Sequence, residues 1–314
     1  MFFKPKTLLI FLSFASSLLI NAQNTPQAIT IDDLLALKKV SDVQISPDGK
    51  WVAYTVLEND IKRDKSLKRL YKIAITGGDP IAITGREFSA SQPQWSSDNK
   101  YLSFLARKGE DEKTQVWISN RLGGDAEVLT KIPQGVNKHI WSPTENKLLL
   151  VLTDPKPEEL TLSKEDDKKA KPYVIDRRQF KQDYVGYLDR YRNHIYTLTP
   201  GDSMATQFTF GDFDDSDPAW SPDGKKIAFT SDRSGAGAPQ IYIMDAEKGD
   251  NGKVTRISFG SSYNDNPSWS PNGDKIAFVG MDAGRLNIYV MNVDGLQVTK
   301  LTHDSGNNES PTWS

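Results

Sequence analysis

The side chains able to do acid–base or nucleophilic chemistry here are few: three histidines, His139, His194 and His303, and no cysteine in 314 residues. The missing thiols exclude disulfides, thiolate catalysis and Cys-ligated zinc or iron–sulfur centres. Three scattered imidazoles are thin material for a His-rich metal site. A serine nucleophile on a strand-to-helix elbow needs Gly-x-Ser-x-Gly, and that pentapeptide does not occur. Gly260-Ser261-Ser262 lacks the second glycine and reads as a turn. His139 and His194 fall in strand-like contexts and His303 follows a strand end, so structural roles are expected for all three. The acids Asp212, Asp214, Asp215 and Asp217 have the oxygens for calcium, but acids flanking a turn are the simpler reading. No catalytic residue, metal or cofactor is expected from these residues. The formal charge of −2 argues against holding nucleic acid by phosphate neutralisation.

The elements that would position any site come from an internal repeat. One phrase returns six times: Ile45-Ser46-Pro47-Asp48-Gly49, then from Trp95, Trp141, Trp220 and Trp269, and finally Trp313-Ser314. The steps between lead residues are 50, 46, 79, 49 and 44. Proline presets the first corner of a type I turn, Asp or Asn suits the next position, and Gly takes the left-handed conformation that returns the chain antiparallel. After each turn come a short apolar strand, a strand with a central aromatic, and a third ending in Leu-Thr or a similar pair (83–84, 129–130, 257–258, 301–302). With the strand before each Trp, that makes four strands per unit. Four short antiparallel strands at this period predict an all-β fold, a β-propeller of four-stranded blades. Each Trp is expected to pack between adjacent blades. Five repeats are complete and the sixth stops two residues in, which reads as a truncated propeller, a fragment of a longer protein.

Two stretches break the pattern. Lys4 and Lys6 precede an apolar run from Thr7 to Ile20 of 14 residues, short of the roughly 20 needed to cross a bilayer. With Asn21-Ala22 closing it, residues 1–22 have the layout of a cleavable signal peptide, so export to the periplasm or the medium is expected, with no membrane span afterwards. Residues 23–40 then form an extension with a short helix, Ile31 to Lys39, capped by Thr30 with Asp32 and Asp33 in its first turn. The propeller is expected over residues 41–314. Its long step hides an insertion at about 153–191, charged in its first half and mixing aromatic with basic residues in its second, where strands are expected. Insertions in repeat folds project from one face, where binding usually happens.

The opening Ile29-Thr30-Ile31-Asp32-Asp33-Leu34-Leu35, the run Val40 to Trp51, Pro172 to Arg177, and Gly211 to Trp220 resemble the N-terminal propeller of prolyl oligopeptidase family serine peptidases. The branch is that of acylaminoacyl-peptidases and secreted dipeptidyl peptidases. The likeness covers roughly Ile29 to Arg233. The last two repeats, through Ile288 to Gly295 and Asn307 to Pro311, look equally like TolB, a periplasmic propeller. The first resemblance implies a propeller that covers an active site and admits short peptides, with Ser, Asp and His on a following α/β-hydrolase domain that this chain lacks. Alone, the segment would be inactive. Arg177 and Arg178 would then meet a substrate carboxylate. Glu158-Glu159 invites comparison with the glutamates that hold a substrate's amino terminus, though the surrounding motif does not match. The second resemblance implies a non-catalytic propeller that binds an envelope protein.

Overall fold

The repeated phrase folds around its serine. In the computed structural model, which describes residues 28–61, 64–85, 88–109, 113–154, 181–182, 186–187, 191–235 and 238–313, the Oγ of Ser46, Ser96 and Ser221 donates to the carboxylate two residues on, at 2.6, 2.7 and 2.6 Å. The same oxygen accepts the backbone N–H five residues on, at 2.9 Å in each case. In the last full repeat Asn272 occupies the acid's place and Ser270 turns to Asp274 instead. Gly49, Gly224 and Gly273 close their turns at φ of +67°, +71° and +72°, and Asn99 does the same at +58°. That is the left-handed region where glycine and asparagine are tolerated.

These hairpins link five four-stranded antiparallel sheets. Blade 1 comprises β1 (Lys39–Ile45), β2 (Trp51–Asp60), β3 (Lys65–Ala74) and β4 (Ile81–Ala82), and blade 2 comprises β5 (Ala90–Trp95), β6 (Tyr101–Ala106), β7 (Gln115–Asn120) and β8 (Glu127–Val128). Blade 3 is built from β9 (Lys138–Trp141), β10 (Leu148–Asp154), β13 (Arg192–Leu198) and β14 (Thr206–Gln207), with the hairpin β11 (Lys181–Gln182) and β12 (Gly186–Tyr187) between its middle strands. Blade 4 holds β15 (Asp215–Trp220), β16 (Lys226–Ser231), β17 (Gln240–Asp245) and β18 (Thr255–Arg256). Blade 5 holds β19 (Asn264–Trp269), β20 (Lys275–Asp282), β21 (Arg285–Asn292) and β22 (Thr299–Lys300). The expectation of a propeller of four-stranded blades is met.

The core lies in the layers between blades. Alternation along β10 sends Leu148, Leu150 and Leu152 against blade 2 residues such as Leu105 and Val116, and sends Leu149 toward Phe229 and Tyr242 of blade 4. Residues of period two thus face opposite neighbours. Each layer contains the repeat tryptophan of its later blade, Trp95, Trp141, Trp220 or Trp269. The indoles also hydrogen-bond across the junction. Nε1 of Trp95, Trp220, Trp269 and Trp313 donates to the carbonyl of Gln44, Ile140, Ala219 and Ser268, at 3.3, 3.5, 3.0 and 3.0 Å. Each acceptor immediately precedes the lead residue of the blade before.

Two expectations need correction. The helix ends at Ala36 rather than Lys39, because Leu37 is extended and Lys39 already pairs with Leu57. Its Thr30 cap is as expected, with Thr30 and Asp33 bonded reciprocally. The chain divides at this point into two compact units, Met1–Leu37 and Lys38–Ser314. The Leu-Thr pairs do not end the fourth strands, which stop two residues short of the expected end, just before each pair. Instead the hydroxyls of Thr84, Thr130, Ser258 and Thr302 accept the N–H of Leu70, Val116, Ile241 and Ile288 on the third strands, at 2.8 to 3.0 Å. A side chain thereby replaces a ladder carbonyl. Blade 3 has the same latch at Thr209, which accepts from Ile195, hidden from a sequence search because its pair is Phe208-Thr209.

Candidate functional site

The first strands of blades 1, 2, 4 and 5, namely β1, β5, β15 and β19, are bent by their own sequence. Register shifts separate Ser41 from Gln44, Ser91 from Gln94, Ser216 from Ala219 and Asp265 from Ser268. The residue at each break has left-handed φ: Asp42 at +54°, Gln92 at +50°, Asp217 at +46° and Asn266 at +54°. Such bulges re-aim a side chain. They stand three residues before the lead residue of the phrase, next to a proline in the last three cases. Sequence reasoning missed this position, although the spacing of x-Pro-x-Trp carries its signal.

Along these strands runs a cavity of about 480 Å³ lined by Trp141, Trp220, Trp269, Pro218, Pro267 and Pro311 among others. Lys138 and Asp217 lie on its wall and pair at 2.6 Å across the junction of blades 3 and 4. The wall mixes tryptophan and proline surface with the polar side chains of Gln44, Lys138, Asp217, Asn266 and Ser268.

Among the described residues the histidines do not assemble a catalytic triad. His139 is buried, and its Nε2 lies 2.8 Å from Ser103 Oγ. Ser103 also donates to the Gln94 carbonyl and accepts from Trp141 Nε1. Its one proton is therefore committed, and the network assigns the proton of His139 to Nε2. Nδ1 has no partner among the described residues. Burial holds this imidazole neutral, with its pKa lowered to about 3. His194 is the reverse case. Its Nδ1 is 2.7 Å from Asp154 Oδ2, while Asp154 also receives Tyr196 Oη at 2.5 Å and Gln207 Nε2 at 3.0 Å. Burial opposes protonation of His194, but the hydrogen bond and charge of Asp154, with the charge of Asp215, outweigh it and raise the pKa. Among the described residues one histidine thus has a serine and no acid, and the other an acid and no serine. Neither pair is open to substrate. His303 follows β22, as expected.

The acidic run is dispersed rather than gathered. Asp212 and Asp214 take Arg192 at 2.8 and 3.2 Å, Asp215 takes Arg233 at 3.0 Å, and Asp217 takes Lys138. Among the described residues no group of His, Asp or Glu is arranged to hold a metal ion. Arg233 is the most heavily used of these cations. Besides Asp215 it reaches Asp250 at 2.8 Å, and its guanidinium carbon lies 4.5 Å from the Phe213 ring and 4.9 Å from that of Phe229. Burial pushes the Asp215 carboxyl above the usual carboxylate value, opposed by Arg233. Arg177, Arg178, Glu158 and Glu159 lie outside the described residues, as do residues 1–22. No described helix is long and apolar enough to cross a membrane.

Comparison with known proteins fits this geometry. Residues 187–314 match the family described as PD40, TolB beta propeller domain. An uncharacterized peptidase of Bacillus subtilis, YuxL, is 30% identical over 221 residues, covering 69% of this chain and 34% of that protein. Dipeptidyl-peptidase 5 of Porphyromonas gingivalis is 26% identical over 251 residues, covering 71% of this chain and 35% of its own. The chain therefore spans about a third of the length of these curated relatives. Among solved structures, the acylaminoacyl peptidase of Pyrococcus horikoshii superposes with a TM-score of 0.61 at 15% identity, over 85% of this chain and 39% of that one, a likeness of fold. This chain is a β-propeller of which residues 187–314 match the TolB-type PD40 family, and its sequence relatives include peptidases.

Proposed function

We propose that this chain is the propeller portion of an exported serine exo- or oligopeptidase, covering an active site carried on an α/β-hydrolase domain and admitting only short peptides to it. The observation that carries the reading is the match of over two thirds of the chain to a third of two peptidases. The lack of any nucleophile elbow in the sequence is consistent with chemistry located elsewhere. Arg177 and Arg178 are assigned to a substrate carboxylate, where a planar guanidinium binds in a bidentate manner. Export rests on the layout of residues 1–22.

The test is to read the gene beyond codon 314 and to assay its full product with a fluorophosphonate serine probe and short chromogenic peptides. Labelling together with peptide cleavage supports the proposal. A frame that closes soon after, with no labelling, refutes it. Within an active enzyme, Arg177→Ala with Arg178→Ala lowers peptide turnover. Unchanged turnover would remove the arginines from the substrate site.

The TolB-type match over residues 187–314 favours a second reading, a non-catalytic propeller that binds an envelope protein through the cavity along its inner strands. Capture of an envelope protein by the chain, in the absence of any serine-probe labelling, would select it.

A further inference from the structure

We propose that Lys72 is a site of reversible carbamylation by carbon dioxide, its amine standing at the rim of the layer between blades 1 and 2. The proposal does not depend on any peptidase role. Lys72 lies on β3 opposite Ala53 of β2. The same register place, opposite Ser103, Ala228 and Ala277, holds Ile118, Ile243 and Val290 in blades 2, 4 and 5. Ile243 belongs to the core between blades 4 and 5. Blade 1 therefore puts an amine where these blades place an aliphatic side chain, and Lys72 is itself only 6% exposed.

The surroundings of the amine set its chemistry. Nζ donates to the Arg121 carbonyl at 2.5 Å and stands 5.1 Å from the centre of the Trp51 ring. Among the described residues no carboxylate pairs with it, whereas Lys38, Lys68, Lys100, Lys138, Lys147 and Lys300 each have one. The acid at this junction, Asp48, is taken by the Arg121 guanidinium at 2.6 Å. Burial first, and the charge of Arg121 second, lower the pKa of Lys72 from the ordinary lysine value. A buried lysine without an acid favours its neutral form, and the neutral amine is the nucleophile. The Arg121 and Asp48 side chains are each 24% exposed, so the end of Lys72 borders a partly open rim.

Carbon dioxide is small and uncharged, which suits a layer closed by Trp51, Leu70 and Trp95. The amine lone pair attacks its carbon. The N–C bond forms as one C=O electron pair moves onto oxygen, and the proton lost from nitrogen passes to water. An anion then stands where a cation stood. The residue that offers the ammonium its carbonyl, Arg121, also carries a guanidinium, which repels the ammonium and attracts a carbamate.

Carbon NMR of the purified chain with isotope-labelled bicarbonate tests this at about pH 8, where an ordinary lysine is almost wholly protonated. The expected result is a carbamate carbon resonance beyond that of the amino terminus, saturating with bicarbonate and lost when bicarbonate is removed. It is absent in Lys72→Met, which restores the apolar character of this register place in blades 2, 4 and 5. Lys72→Arg keeps a cation but offers no carbamate-forming amine, and serves if the first variant does not fold. Lack of the second resonance in the wild type, or its persistence in either variant, overturns the proposal and leaves Lys72 as a cation tethered to the next blade.

Discussion

Trp313 Nε1 donates to the carbonyl of Ser268 at 3.0 Å, joining residues 45 positions apart. Trp269 bears the same relation to Ala219, 50 positions away. A tertiary bond at the period of the repeat is what makes the period visible in sequence: Trp95, Trp220, Trp269 and Trp313 each find the backbone of the blade before, and Trp141 finds the Ser103 hydroxyl.

Trp269→Phe keeps most of the apolar surface but leaves the Ala219 carbonyl without its donor. Losing a partner to a mostly buried group costs about 1–3 kcal/mol. Urea unfolding of the variant should show a lower midpoint at unchanged m-value. An unchanged midpoint would mean that the indole acts through packing alone.

Ser221→Ala removes at one stroke the acceptor of the Lys226 N–H and the donor to Asp223. The expected loss is again about 1–3 kcal/mol. The Asp223 carboxyl, held low first by the Ser221 hydroxyl and then by the Lys225 N–H, should titrate higher in the variant. Because its pKa is depressed in the fold, its contribution is present above the unfolded value and lost as pH falls. Carboxylate NMR of Asp223 in both proteins checks the direction.

His139 and His194 set opposite slopes. Folding lowers the pKa of His139 from 6.5 to about 3, so below pH 6.5 the unfolded chain takes up a proton that the fold refuses, and stability falls on acidification. His194 is raised, so its contribution is full below the unfolded value and lost as pH rises through the folded one. His139→Gln should flatten the acid side by about 1.4 kcal/mol per pH unit. The comparison is cleanest between about pH 6 and pH 5, above the carboxylate range. Equal slopes for wild type and variant would refute a neutral His139.

Arg233→Ala leaves Asp215 buried without a counter-ion, and removing one partner of such a pair costs about 3–5 kcal/mol. Arg233→Lys should recover only part of this, since a lysine cannot bridge two carboxylates while lying flat against Phe213. Lys138→Ala, breaking a pair whose side chains are 34% and 29% exposed, should cost at most about 1 kcal/mol. Thermal unfolding of the three variants side by side tests the ordering.

The sequence by itself determined the blades. The Ser-Pro-Asp-Gly corners, the aromatic middle strands and the tryptophan period are local or periodic constraints, readable without knowing what they touch. The inter-blade role of the tryptophans followed from the same logic. The helix reads longer in sequence than it is in the fold because the strand pairing of Lys39 with Leu57 is non-local. The Leu-Thr pairs read as strand ends in sequence because a hydroxyl standing in for a ladder carbonyl looks like one more strand residue. Only the tertiary structure decided the polar contacts. Asp154 and His194 are 40 positions apart, and Arg233 meets Asp215 and Asp250 from opposite directions along the chain. Nothing local distinguishes these acids from those on a solvated turn. Burial between blades does, and burial is a property of the packed sheets rather than of any short run of residues.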